Sequence, residues 1–166
     1  DKNCFSVLSK QELPRVTTVC DDATEYCEPG SFDLAASVFS HDHINHENAN
    51  KFVANIHRNL KQGGIYLMGG EILPKYSNTN ERREALYAYH TFIVNMAMRE
   101  GNFELAQIEI NALKSGLEMV GDFKRHQTMF EEEMLSSPFK LIKMVKLGPD
   151  IPDNIGGVYA YVYEAL

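Results

Sequence analysis

Apolar and polar positions change their spacing several times along the chain, and each change predicts an element. Residues 3 to 13 (NCFSVLSKQEL) are loosely amphipathic and predict a short helix closed by Pro14, because the residue before proline is pushed out of the helical region. VTTVC at 16 to 20 predicts a strand. After a polar turn holding Pro29 and Gly30, FDLAASVF at 32 to 39 is a nearly continuous apolar run of strand length, the pattern of a strand covered on both faces. Residues 47 to 61 (ENANKFVANIHRNLK) set Phe52, Val53, Ile56 and Leu60 at helical spacing, with Gly63 and Gly64 as the stop, and IYLMGGEIL at 65 to 73 predicts another strand.

Strand, turn, helix, Gly-Gly and strand in that order predict a βαβ unit, which needs parallel strands. The fold class this implies is α/β, a doubly wound, mostly parallel sheet. From about 80 to 121 the period becomes helical, with two helices joined near Gly101-Asn102, and an insertion of that length exceeds what a connection requires. Thr128 and Glu131 have capping-box spacing at the start of TMFEEEMLSS, and Pro138 ends that helix. FKLIKMVKLG and GGVYAYVYEAL then predict an antiparallel terminal pair around PDIPDNI. No internal repeat or low-complexity tract interrupts this order.

Composition narrows the function classes. With 166 residues and 44% apolar content the chain can bury one core, so a single domain is expected. A net charge of −7 argues against an extended nucleic-acid surface, which needs clustered Lys and Arg, and favours a small-molecule partner. No run approaches the roughly 18 apolar residues of a membrane span. Cys4, Cys20 and Cys27 lack C-x-x-C spacing, which fits reduced thiols and predicts a cytoplasmic protein. A homodimer is left open.

Directly after the run FDLAASVF comes SHDHINHENANK, where His41, Asp42, His43 and His46 crowd together. Three readings compete. A metal site would use H-D-H-x-x-H, but no second cluster supplies the remaining ligands, since His57 lies in the next helix and His90 and His126 are distant. A general base is reasonable, because histidine titrates near neutral pH and the segment leaves the carboxyl end of a strand, where α/β sheets place ligands. The third reading is a polar loop whose His or Asn caps the next helix.

Three local signals in order, TTVCDDATEY, FDLAASVFSHDHI and LKQGGIYLMGGEIL, followed by EEEMLSSPFKLIKMVKLG and a terminal hairpin, resemble the class I S-adenosylmethionine-dependent methyltransferases. The resemblance covers roughly residues 15 to 75 and 126 to 166 and implies a Rossmann-like fold with an antiparallel terminal strand. It implies S-adenosyl-L-methionine as cofactor, S-adenosyl-L-homocysteine as product, and methyl transfer to an O or N acceptor on a small molecule. Asp22 and Ala23, with Asp21 beside them, match the place where an acid meets the adenine amino group and the next residue lies against the ring. Local turn chemistry is the alternative reading of the two acids. Ser37, Val38 and Phe39 match the strand end that lies under the methionine part of the cofactor.

The family's glycine-rich G-x-G-x-G loop has no counterpart, for no G-x-G occurs in the 166 residues. The acid that binds the ribose would be absent unless Asp1 is its remnant. The domain is accordingly expected to be a methyltransferase-like domain, residues 1 to 166, lacking its first βα portion, with a helical substrate or lid insertion at about 76 to 125. In that frame His41, His43 and Glu71 are the candidates for catalysis, and His46, Tyr87, His90 and His126 for substrate contact. No bound metal is expected. Two rivals stand beside the transferase: a metal-dependent hydrolase built on His41, His43 and His46, and a non-catalytic methyltransferase-like binding or assembly protein.

Overall fold

A computed structural model describes residues 2–11 and 14–166. In chain order the elements are α1 (Lys2–Leu8), β1 (Phe32–Val38), a 3-10 turn (His41–His43), α2 (His46–Asn59), β2 (Leu60–Leu73), α3 (Thr79–Arg99), α4 (Phe103–Glu118), β3 (Arg125–His126), α5 (Gln127–Met134), β4 (Phe139–Gly148) and β5 (Gly157–Ala165). The sheet order is β1-β2-β5-β4, with short β3 pairing β2. β1 runs parallel to β2, aligning Leu34 with Ile65 and Val38 with Gly69, so the βαβ unit read from the sequence is present. β2 to β5 and β5 to β4 are antiparallel, the terminal pair expected from the alternating runs. Among the described residues no helix is long and apolar enough to cross a membrane.

The core lies on one face of the sheet. Tyr66, Met68 and Ile72 of β2 and Tyr161 and Tyr163 of β5 point toward α2 and α5, where Val53, Phe130 and Met134 meet them. Phe130 sits at the centre, wholly buried, its ring 4.7 Å from Tyr161 and 5.0 Å from His41. Five of the eleven buried residues in this cluster are aromatic, and ring pairs in tilted or edge contact add to simple burial. The sheet's other face is bare over β1: Leu34 and Val38 are 54% and 64% exposed. β1 is therefore not covered on both faces as its apolar run predicts. Its inner face packs, its outer face does not, and its second edge has no partner strand among the described residues.

Three further expectations change. VTTVC at 16 to 20 is not a strand; no ladder reaches it, and Val16 and Val19 stay exposed. β propensity without a neighbouring edge leaves the backbone without ladder partners, so extended irregular chain results. The Gly63-Gly64 pair does not stop α2, which ends at Asn59. The two glycines instead form the irregular stretch where the register between β1 and β2 slips. Gly63 takes φ +75°, and a Cβ on Gly64 would lie 2.8 Å from the Lys61 carbonyl and 3.3 Å from that of Phe32. Thr128 does not cap α5: His126 does, its Nδ1 accepting from the Met129 N–H at 3.3 Å, and Glu131 instead accepts from Gln127 at 2.8 Å.

Two helices form where the helical period predicts them. Asn78 opens α3 by accepting from the Asn80 and Glu81 backbone N–H groups, Asn102 opens α4 by accepting from Leu105, and Met119 closes α4 at φ 53°. Leu86 and Tyr89 of α3 pack on Leu73 at the end of β2 and on Leu113 and Leu117 of α4, a second small core that fixes the insertion above the carboxyl ends of the parallel strands.

Two substitutions test this packing by urea denaturation. Phe130→Ala is expected to cost about 3–5 kcal/mol, the range for removing a buried aromatic ring. Gly64→Ala is expected to cost about 1–3 kcal/mol, because its Cβ meets backbone oxygen and not a yielding side chain. A neutral Gly64→Ala variant would show that the β1–β2 slip is not a tight contact.

Candidate active site

Two cavities flank the carboxyl end of β1. The first, of about 460 Å3, runs along the strand's free edge beside α2 and is lined by Ala23, Ser37 and Val38 among others. The loop that brings Ala23 there is held by two asparagines one turn apart on α2. Asn55 donates to the carbonyls of Ala23 (3.0 Å) and Tyr26 (2.8 Å), and Asn59 donates to Tyr26 (2.9 Å) while accepting from the Glu28 N–H (2.6 Å). Both are buried, so these bonds replace the ladder that the loop lacks. Asp21 accepts from the Asp22 N–H, and Asp22 Oδ1 accepts from the backbone and hydroxyl of Thr24, each at 2.8 Å. Those bonds, the backbone one first, hold the exposed Asp22 carboxyl below its usual range, so it stays an ionised acceptor.

The second cavity, of about 360 Å3, lies between the 3-10 turn, the end of β2 and the inserted helices. Phe39, next after β1, turns into it through φ 48°, its N–H donating to the Gly69 carbonyl at 2.8 Å. Its walls carry charge. Glu71 accepts from the Tyr89 hydroxyl at 2.8 Å and pairs with Lys124 at 3.0 Å, and Lys124 also bonds Asp122. Burial opposes the charge on Lys124, but the carboxylates of Glu71 and Asp122 outweigh it and raise its pKa. Burial, then the Glu71 charge, raises the Tyr89 hydroxyl, which therefore keeps its proton and donates. His43 Nδ1 bonds the Gly121 carbonyl. A carbonyl only accepts, so Nδ1 carries the hydrogen in that bond, and Nε2 is left without a protein partner among the described residues.

The histidine cluster does not converge. His41 is 1% exposed and its Nε2 donates to Glu133 at 2.9 Å; Arg125 Nε donates to both Glu133 oxygens at 2.7 Å. His46 lies 3.6 Å from the same carboxylate, too far for a hydrogen bond. Burial lowers the His41 pKa and keeps the ring neutral. Burial works against ionising Glu133, but its donors from His41 and the charge of Arg125 prevail and hold it down to about 2. Asn45, and none of the histidines, caps α2, accepting from Asn48 at 2.9 Å. Among the described residues no group of three His, Cys, Asp or Glu could hold a metal, so the hydrolase geometry is not assembled.

The remaining candidates scatter. Ala23, Ser37 and Val38 share the first cavity, with the Ser37 hydroxyl 2.7 Å from that of Tyr66. Phe39, His43 and Glu71 share the second. His90 is wholly buried behind that cavity, bonded to Glu109 at 2.8 Å. Tyr87 points to solvent, and His126 faces a separate recess beside Lys75. Asp1 lies outside the described residues. Sequence reading missed Asn55, Asn59, Lys124, Arg125 and Glu133. Glu133 had a signal: it shares a helical face with Phe130 and Met134, and an acid among apolar positions marks a buried partner.

The sequence of residues 4–64 matches a family described as a methyltransferase domain. Solved structures similar in fold include the PH0226 protein from Pyrococcus horikoshii OT3, with 13% identity and TM-score 0.56 over 99% of this chain and 65% of that one. The mitomycin 7-O-methyltransferase MmcR has 11% identity and TM-score 0.58 over 99% of this chain and 38% of its own. A Burkholderia thailandensis 1,6-didemethyltoxoflavin-N1-methyltransferase, solved with 1,6-didemethyltoxoflavin and S-adenosylhomocysteine bound, has 12% identity and TM-score 0.56 over 97% of this chain and 56% of its own. The chain spans less than two thirds of the length of each of these. No curated protein matches the sequence.

The Glu133 group predicts an acid-sensitive fold. Its folded carboxyl sits at about 2 against an ordinary 4.5, so the unfolded chain binds more protons in between; the stability it contributes is full above about 4.5 and is lost as pH falls toward 2. His41 acts in the same direction below its ordinary 6.5. Urea midpoints measured from pH 7 to 3 should therefore fall. Glu133→Gln should cost about 3–5 kcal/mol at pH 7 by stranding Arg125, and should flatten the acid limb. Parallel pH curves for the two proteins would remove Glu133 from this role.

Proposed function

We propose, from a chain that has the fold of the class I S-adenosylmethionine-dependent methyltransferases, that this protein transfers a methyl group from S-adenosyl-L-methionine to an O or N acceptor on a small molecule. The observation that carries the reading is the division at the carboxyl end of β1: Ser37 and Val38 line one cavity with Ala23, and Phe39 lines the other with His43 and Glu71. Consecutive residues of one strand end thus separate a largely apolar space from one that carries charged side chains. A transfer enzyme needs that division, a donor held on one side and an acceptor met from the other.

The residues present fit the adenosyl end of the cofactor. Ala23 and Leu34 offer apolar walls for a purine, and Asp22, which precedes Ala23 in the chain, is an ionised acceptor for an exocyclic amine. Ser37 and Val38 would lie beside the methionine portion, with Asp21 supporting Asp22. When bound, the cofactor supplies an electrophilic methyl carbon on a sulfonium. The chain's task is then alignment, exclusion of water and, where the acceptor carries a proton, its removal. Nε2 of His43 is free for that proton, while Glu71 is held rigid by Tyr89 and Lys124 and orients a donor group of the acceptor. His41 serves through Glu133 and touches neither cavity; His46 stands with it. The helical insertion over about 76 to 125 supplies the acceptor-side wall through α3 and α4.

Calorimetric titration of the full chain with S-adenosylhomocysteine tests the reading. Weak binding is expected, since the 166 residues carry no G-x-G loop, and Asp22→Ala should weaken it about tenfold further, the loss of one charge-assisted hydrogen bond. Unchanged affinity in that variant would sink the adenine assignment. No binding by the unaltered chain would turn the reading toward a non-catalytic binding protein.

A further inference from the structure

We infer that the second cavity recognises a small organic cation, an ammonium or amidinium group on the acceptor, with Asp42 as its counter-ion. The inference rests on the methyl-transfer reading only for the word acceptor; recognition of the cation stands on the cavity itself. Four carboxylates line that space, those of Asp42, Glu71, Glu109 and Asp122, against the single ammonium of Lys124. Three have partners: Glu71 and Asp122 hold Lys124, and Glu109 holds His90. Asp42 does not. Its side chain is only 5% exposed, and its Oδ1 is buried with no hydrogen-bond partner.

An unmatched buried carboxylate oxygen is costly, and folded proteins seldom keep one without a use. The backbone fixes it in place, because the Asp42 carbonyl accepts from the Phe123 N–H at 2.7 Å and the residue sits in the rigid 3-10 turn between β1 and α2. Asp42 lines the cavity, so a cation entering it would give this carboxylate the partner it lacks. An organic cation suits the walls better than a metal ion. No three-ligand group forms among the described residues, Lys124 already occupies two of the carboxylates, and Phe39, Ile93 and Val158 give an apolar lining to a carbon skeleton. An anionic acceptor would face the uncompensated charge and be rejected.

Benzylammonium and its neutral counterpart benzyl alcohol are the probes, titrated into the full chain at pH 7 by NMR with and without S-adenosylhomocysteine. The ammonium should bind about tenfold more tightly than the alcohol, and Asp42→Asn should bring the two within about twofold, with a melting temperature unchanged or raised because the orphaned charge is gone. Equal binding of both probes to the unaltered protein overturns the inference. So does a preference that survives Asp42→Asn. If that variant does not fold, Glu109→Gln carries the test: a preference reduced about threefold or more supports the inference, and an unreduced one overturns it. S-adenosylhomocysteine binding without a cation preference refutes this inference and leaves the transferase reading standing, whereas a cation preference without S-adenosylhomocysteine binding does the reverse.

Discussion

The bond network around Glu133 organises the molecule. One carboxylate receives the Arg125 guanidinium through both oxygens and His41 through one, and Arg125 spends three further donors on the carbonyls of His41, Phe123 and Ile44. These groups come from three separate parts of the chain: the turn after β1, the return segment after the insertion, and α5. Taken out of water together, each charge depends on the others, so the network permits one relative placement and penalises alternatives. The second cavity depends on that placement, because it sets the 3-10 turn that carries Asp42 and His43.

Above this network the site is divided by ordinary strand geometry. The end of β1 delivers Ser37 and Val38 to one space and, through the left-handed Phe39, a ring to the other. A non-glycine residue at positive φ is uncommon, and here its N–H bond to Gly69 keeps it. On the far side of β1, Asn55 and Asn59 replace a missing ladder by carrying the loop of Asp22 and Ala23 on side-chain amides. The bare outer face and free edge of β1 leave backbone groups able to pair a further strand.

Much of this was legible in the residues. The βαβ order, the two inserted helices and the antiparallel terminal pair followed from period alone, since an apolar stripe at helical spacing or a run of strand length can be buried in few ways. The placement of Glu71 at the end of β2 and of His43 after β1 also followed, because strand ends are where α/β sheets gather chemistry. Local readings failed where a distant neighbour decided. VTTVC has strand composition but no edge to join, Thr128 has capping spacing but His126 reached the helix first, and Gly63-Gly64 resembles a helix stop but serves the register slip one turn later.

The histidines show where the division falls. Sequence determined that His41, Asp42, His43 and His46 would leave one strand end together, and with the surrounding elements it determined the fold. It could not determine which of them would be sealed against Glu133, which would keep a free ring nitrogen, or that Asp42 would be buried without a partner. Those outcomes depend on Arg125, Gly121 and Glu133, residues 75 or more positions away, and on how much water the packed insertion excludes. Pattern along a chain records which faces are apolar; the partner of a buried polar group is a property of two distant segments at once, and only their packing assigns it.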